Sequence, residues 1–139
     1  MTKIVKGNIA IIHQKTPKGI LFLIVKNIPS GNITFAGGAK GDNETDEIAI
    51  RRELQEELNF SSTEKQIQKT NLKISFTFNQ AKKERAGMRA HYNVFTIQVD
   101  SSSIQPNPNE ISEYWWLPKE EAKRRLTFPE EGAVLDNLF

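Results

Sequence analysis

One stretch constrains this chain more than any other, the 14 residues from Thr45 to Leu58. At about 100° per residue, Ile50, Leu54 and Leu58 fall within roughly 80° of one another, a stripe that a helix must turn toward a core. Glu53, Glu56 and Glu57 fall about 100°, 160° and 60° to one side of Leu54. They form a face beside the buried stripe and not opposite it. Thr45 or Asn43 can cap the start of the helix, and Asp46 and Glu47 sit in the first turn, where the helix dipole favours acids. Asn59 can take the left-handed conformation that ends a helix.

The charge layout sharpens the problem. Seven acids and two arginines lie between Asp42 and Glu57, a net of −5, while the remainder holds seventeen bases and ten acids, a net of +7. A solvated acidic helix is the ordinary reading of such a run. The spacing admits a second one. Carboxylates at i, i+3 and i+4 repel at a cost of a few tenths of a kcal/mol per pair. A Mg²⁺ or Mn²⁺ ion removes that cost, because hard cations prefer carboxylate oxygens. The stretch Ala36 to Asn43 reads as a loop with three glycines. Gly37 and Gly38 let backbone approach a ligand closely, and a carbonyl there could complete an ion's coordination.

Around this helix the pattern alternates strands and turns. Residues 3–13 read as a strand, Thr16-Pro17-Lys18-Gly19 as a turn, and Ile20 to Val25 as a strand buried on both faces. Ile33 to Phe35, Leu72 to Phe78, Met88 to Val99 and Tyr114 to Leu117 are further strands. Pro118 suits the first position of a helix running to about Leu126, and Pro129 opens another toward Leu138. A mixed α/β architecture in one domain, residues 1–139, is expected. The chain has no cysteine and two histidines, which excludes thiol chemistry and Cys- or His-rich metal sites. No apolar run reaches the roughly 18 residues of a membrane span, and the first residues lack a signal-peptide core. A cytoplasmic protein with no membrane partner is expected.

Gly38, five residues, Glu44, seven residues, then Arg52-Glu53-Leu54-Gln55-Glu56-Glu57-Leu58-Asn59-Phe60 resembles the Nudix box, G-x5-E-x7-R-E-U-x-E-E-x-G-U with U apolar. Asn59 is the one departure, where the family has Gly. The resemblance implies a Nudix fold, a mixed β-sheet in an α/β/α sandwich. It implies hydrolysis of a nucleoside diphosphate linked to another group, with Mg²⁺ or Mn²⁺ as cofactor. Carried over by position, Glu53, Glu56 and Glu57 would bind metal, with the Gly38 carbonyl as a backbone ligand. Glu53 or another nearby glutamate would orient or deprotonate the attacking water. Arg52 and Glu44 would hold the glutamates in place. Gly41 stands where many relatives carry an acid, which leaves the number of metal ions open.

Outside the box, Glu110 is a candidate for a further catalytic or metal-binding glutamate, against the plain reading of a loop acid. Glu84 is a lesser candidate, and Glu113 reads as a surface residue. Phe35, just before the glycines, is a candidate to line the substrate pocket. Trp115 and Trp116 point to opposite faces of their strand, so one should pack inside. His91 reads as structural or solvent-facing. Lys82-Lys83-Glu84-Arg85 and Lys123-Arg124-Arg125 read as solvated clusters, the first with the option of meeting substrate phosphates. The expected substrate is a nucleoside triphosphate or related small nucleotide, with a dinucleoside polyphosphate as the alternative. RNA stays open as a substrate, although no RNA-binding module is visible. A non-catalytic Nudix-fold nucleotide-binding module is the rival class, and the intact box acids argue against it. A homodimer through the aromatic strand is an expectation by analogy.

Overall fold

The computed structural model describes residues 3–61, 67–79, 84–100 and 103–139. Lys82 and Lys83 lie outside these residues. The described chain runs β1 (Ile4–Thr16), β2 (Gly19–Asn27), β3 (Ile33–Thr34), β4 (Ala36–Ala39), α1 (Asp46–Leu58), β5 (Ile67–Thr77), β6 (Arg89–Gln98), β7 (Ile111–Leu117), α2 (Lys119–Arg125) and α3 (Pro129–Leu138). The seven strands form one mixed sheet.

β1 organises the sheet. From Ile4 to His13 it pairs in parallel with β6. On its other edge the residues Gly7–Ala10 pair with β4, and His13–Thr16 pair with β2 through the Thr16–Gly19 turn. Successive side chains on a strand point to opposite faces, so one strand feeds two cores. Ile9 and Ile11 pack with Phe22, Phe76 and the residues Leu126, Phe128 and Leu135 around α2 and α3. Ala10 and Ile12 pack with Ile50, Leu54 and Leu58 of α1. The result is helix on both faces of a mixed sheet, the α/β/α sandwich expected. Trp115 packs against the first core and Trp116 against the second, as strand alternation requires.

The glycine-rich stretch corrects the sequence reading. Ala36–Ala39 is a strand and not a loop. Glycines disfavour strands by propensity, but here close approach overrides propensity. A side chain at Gly37 would collide with the Asn8 carbonyl of β1, and Gly37 has φ +142. Pro118 is also displaced by one position from expectation: it is the N-cap residue of α2, which begins at Lys119. β5 and β7 start earlier than their apolar runs, at Ile67 and Ile111. Pairing with β6 and β2 extends them through polar residues.

Candidate active site

α1 places the acids. Thr45 caps it, its Oγ1 accepting from the Ile48 N–H at 3.2 Å. Asn59 ends it in the left-handed region, φ 51 and ψ 35. Ile50, Leu54 and Leu58 are fully buried. The three glutamates are graded by their angle from that stripe. Glu57, nearest to it, is buried. The Glu53 side chain is 15% exposed and that of Glu56, farthest round, is 47% exposed.

Arg52 gathers the neighbouring acids. Its Nε donates to Glu44 Oε2 at 2.6 Å and its Nη2 to Glu44 Oε1 at 2.9 Å. Its Nη1 reaches Glu53 Oε1 and Glu56 Oε2, both at 3.2 Å, and Nη2 donates to the Ala39 carbonyl at 3.3 Å. Glu44 also accepts from the Gly41 N–H at 2.7 Å. The Arg52 hydrogen bonds and then that N–H hold the Glu44 carboxyl down to about 2. Arg52 is pushed up in turn.

Glycine 38 makes room for Glu53. A Cβ at Gly38 would lie 2.9 Å from Glu53 Oε1. Glu110, on the loop before β7, lines a crevice together with Gly38 and Glu53. Asn107 fastens that loop to the end of α1. Its N–H donates to the Glu57 carbonyl at 2.7 Å, and its Nδ2 donates to the Glu56 carbonyl at 3.1 Å. The Asn107 carbonyl then accepts from the N–H groups of Glu110 and Ile111.

Gly37, Gly38, Glu53, Glu57, Glu110 and Arg85 all line one crevice of about 350 Å³. Burial first, and then the adjoining Glu53 carboxyl, push the Glu57 pKa well above the usual range. Burial, then Glu56 and Glu53, raise that of Glu110. Glu57 Oε1 and Glu110 Oε2 are buried and have no hydrogen-bond partner. Buried acceptors left bare are costly unless a ligand supplies the missing contact. Bare carboxylate oxygens beside a third carboxyl are an oxygen-only donor set, which suits Mg²⁺ or Mn²⁺. The residues present therefore fit a hard divalent ion. Among the described residues no three acidic or histidine side chains stand close enough for a ready-made cage. Glu56 is turned to Arg52 and lies outside the crevice lining.

The other candidates fall as follows. Glu44 stays outside the crevice and reaches it through Arg52. Phe35 is buried and lines a smaller adjoining cavity. Glu84 is exposed, and so are Glu113 and His91. Arg85, from the basic cluster given the option of meeting substrate phosphates, lines the crevice, while sequence reasoning missed Asn107 and also Asn27, a further lining residue. The Pro106-Asn107-Pro108-Asn109 run signals a turn, but not which helix end it grips.

The profile of the NUDIX domain matches residues 6–138. The chain belongs to the Nudix family. The Nudix fold is shared with solved structures of low identity. The dihydroneopterin triphosphate pyrophosphohydrolase of E. coli has a TM-score of 0.83 at 15% identity, covering 99% of this chain and 96% of that one. The Ap4A hydrolase of C. elegans, in a binary complex, has a TM-score of 0.73 at 20% identity, covering 96% and 94%. The MutT protein of Methanosarcina mazei Go1 has a TM-score of 0.73 at 17% identity, covering 99% and 96%. No curated protein sequence matches the chain. Its class is that of the Nudix hydrolases, enzymes acting on acid anhydrides. No helix among the described residues is long and apolar enough to cross a membrane.

Proposed function

We propose that this chain hydrolyses a pyrophosphate bond in a nucleoside diphosphate derivative, with Mg²⁺ or Mn²⁺ held by Glu53, Glu57 and the Gly38 carbonyl. Glu56 and Glu110 would complete the set. The observation that carries the reading is the pair of bare, buried oxygens, Glu57 Oε1 and Glu110 Oε2, at one crevice. A bound divalent ion supplies charge neutralisation at the phosphoryl oxygens and lowers the pKa of water.

The chain's own residues have distinct tasks. Arg52 and Glu44 keep Glu53 in place by the fork of hydrogen bonds described above. Glu53 or another nearby glutamate orients or deprotonates the attacking water. Arg85, which lines the same crevice, meets the phosphate chain.

For substrate we propose a nucleoside triphosphate or related small nucleotide. The E. coli neighbour is a pyrophosphohydrolase of a triphosphate, dihydroneopterin triphosphate, which supports this reading. The C. elegans neighbour acts on Ap4A, which supports the second reading, a dinucleoside polyphosphate hydrolase. A panel of nucleoside triphosphates, dinucleoside polyphosphates and nucleotide sugars, assayed with Mg²⁺ and with Mn²⁺ for released phosphate and pyrophosphate, tests the proposal. Turnover of at least one compound is expected. No turnover of any compound with either ion overturns it.

A further inference from the structure

The α1 face of the sheet is only partly covered by its helix. Side chains alternate along β1, so Ile4, Lys6 and Asn8 share the face of Ala10 and Ile12, which pack against α1. β6 and β5 continue these positions in register. Asn8 pairs with Asn93 and Asn93 with Lys73, Lys6 with His91 and His91 with Ser75, Ile4 with Arg89 and Arg89 with Thr77. A groove of about 360 Å³ lies over this part of the sheet, beside the start of α1. Lys6, Lys40, Lys69, Lys73 and His91 line it, and Asp46 is the single acid in its lining.

Two of these lysines share Asp46. Its Oδ1 is 3.5 Å from Lys40 Nζ and its Oδ2 is 3.4 Å from Lys69 Nζ. Lys6, Lys73 and Arg89 are exposed and have no acid partner among the described residues. Four lysines and Arg89 against Asp46 leave a net of +4 on this face, while the whole chain carries +2. Like charges on neighbouring strands destabilise a sheet. A face that only met water would intersperse both signs. An anion laid across the rows removes the repulsion.

The layout decides which anion. Successive rows are about 7 Å apart and neighbouring strands about 5 Å, so the bases spread over roughly 13 by 10 Å. That is more than one phosphate can meet, and it suits several in succession. Lysine meets a phosphate as a point charge and does not read a base edge by a fork. No Phe, Tyr or Trp stands in the three rows to stack a base. Ile4 is the only apolar residue in the rows, too little to seat the face in a bilayer.

We propose that this face is a second site, which binds the phosphate backbone of a single-stranded nucleic acid without regard to sequence. It shares no lining residue with the crevice of Glu53 and Glu57. It needs no divalent ion and none of the box acids, so it stands or falls apart from the hydrolase reading.

Fluorescence anisotropy of a labelled oligouridylate of about 12 residues, titrated with the protein in EDTA, tests this. With about four phosphates contacted, affinity should fall about 50-fold between roughly 50 and 200 mM salt. The double variant Lys6→Gln/Lys73→Gln should bind at least about tenfold more weakly at the lower salt, with a salt slope smaller by about 1.4. Lys18→Gln/Arg124→Gln, which removes the same charge from exposed positions elsewhere, should bind like the wild type. The proposal falls if the oligonucleotide does not bind, if Lys6→Gln/Lys73→Gln binds it like the wild type, or if the two double variants weaken it equally. Inorganic polyphosphate and phosphatidylserine vesicles are titrated in parallel. Binding of either one without binding of the oligonucleotide assigns the face to free phosphate chains or to a membrane surface and overturns the proposal.

Discussion

Arg52 and Glu44 are joined by a two-pronged ion pair, Nε to Oε2 at 2.6 Å and Nη2 to Oε1 at 2.9 Å. Parallel hydrogen bonds of this kind fix orientation as well as distance. The third guanidinium nitrogen is thereby aimed at Glu53 and Glu56. Lysine cannot reproduce the fork. Arg52→Lys and Glu44→Gln should each lower kcat by about 10- to 100-fold, the range for residues that orient metal ligands. The Arg52 side chain is 35% exposed, so its ion pairs add little stability. Steady-state kinetics paired with thermal melting separate the two effects. A loss of folding that matches the loss of activity would count against a positioning role.

Gly38→Ala addresses the same carboxylate from the strand side. The new methyl group would sit 2.9 Å from Glu53 Oε1 and 3.1 Å from its Cδ. A flexible side-chain end can move away cheaply, so stability should change by less than about 1 kcal/mol. A misplacement of about 1 Å in a reacting group can cost on the order of 100-fold in rate. Activity near the wild-type level in Gly38→Ala would remove Glu53 from the reacting centre.

Asn107→Ala tests the clamp between the Glu110 loop and α1. It removes the Nδ2 bond to the Glu56 carbonyl and the Oδ1 bond from the Asn109 N–H. Each is worth about 1 kcal/mol. Amide exchange at Glu110 and Ile111 should quicken and kcat should fall about tenfold. Unchanged exchange there would show that the clamp is carried by the backbone bonds alone.

Glu131, buried on α3, ties stability to pH. Its pKa is raised on folding, from the ordinary carboxyl value to about 8. The native state thus holds a proton that the unfolded chain releases, and stability falls as pH rises. The contribution is fully present below the unfolded pKa, near 4.5, and lost as pH climbs through about 8. The total loss is on the order of 5 kcal/mol. Denaturant midpoints measured from pH 5 to pH 9 should fall, and Glu131→Gln should flatten the curve. A wild-type curve that rises over this interval would contradict a buried, protonated Glu131.

Much of this was legible in the residues. The angular order of Glu57, Glu53 and Glu56 about Leu54 anticipated their order of burial, because helix periodicity alone sets it. Thr45 and Asn59 behave as their types suggest. Ala36–Ala39 was not legible as a strand, since its glycines serve contact with β1 and Glu53 and not propensity. Nor was the Asn107 clamp or the burial of Glu131. Both join residues far apart in sequence, Asn107 to Glu57 and Glu131 to Phe35. Only the folded chain brings such pairs together.

The central claim is that the bare oxygens of Glu57 and Glu110 belong to a divalent-cation site. Titration of Mn²⁺ into the wild type and into Glu57→Gln, followed by calorimetry without substrate, tests it most directly. The wild type should bind Mn²⁺, and Glu57→Gln should bind it at least about tenfold more weakly while remaining folded. Equal affinity in the two proteins would contradict the claim.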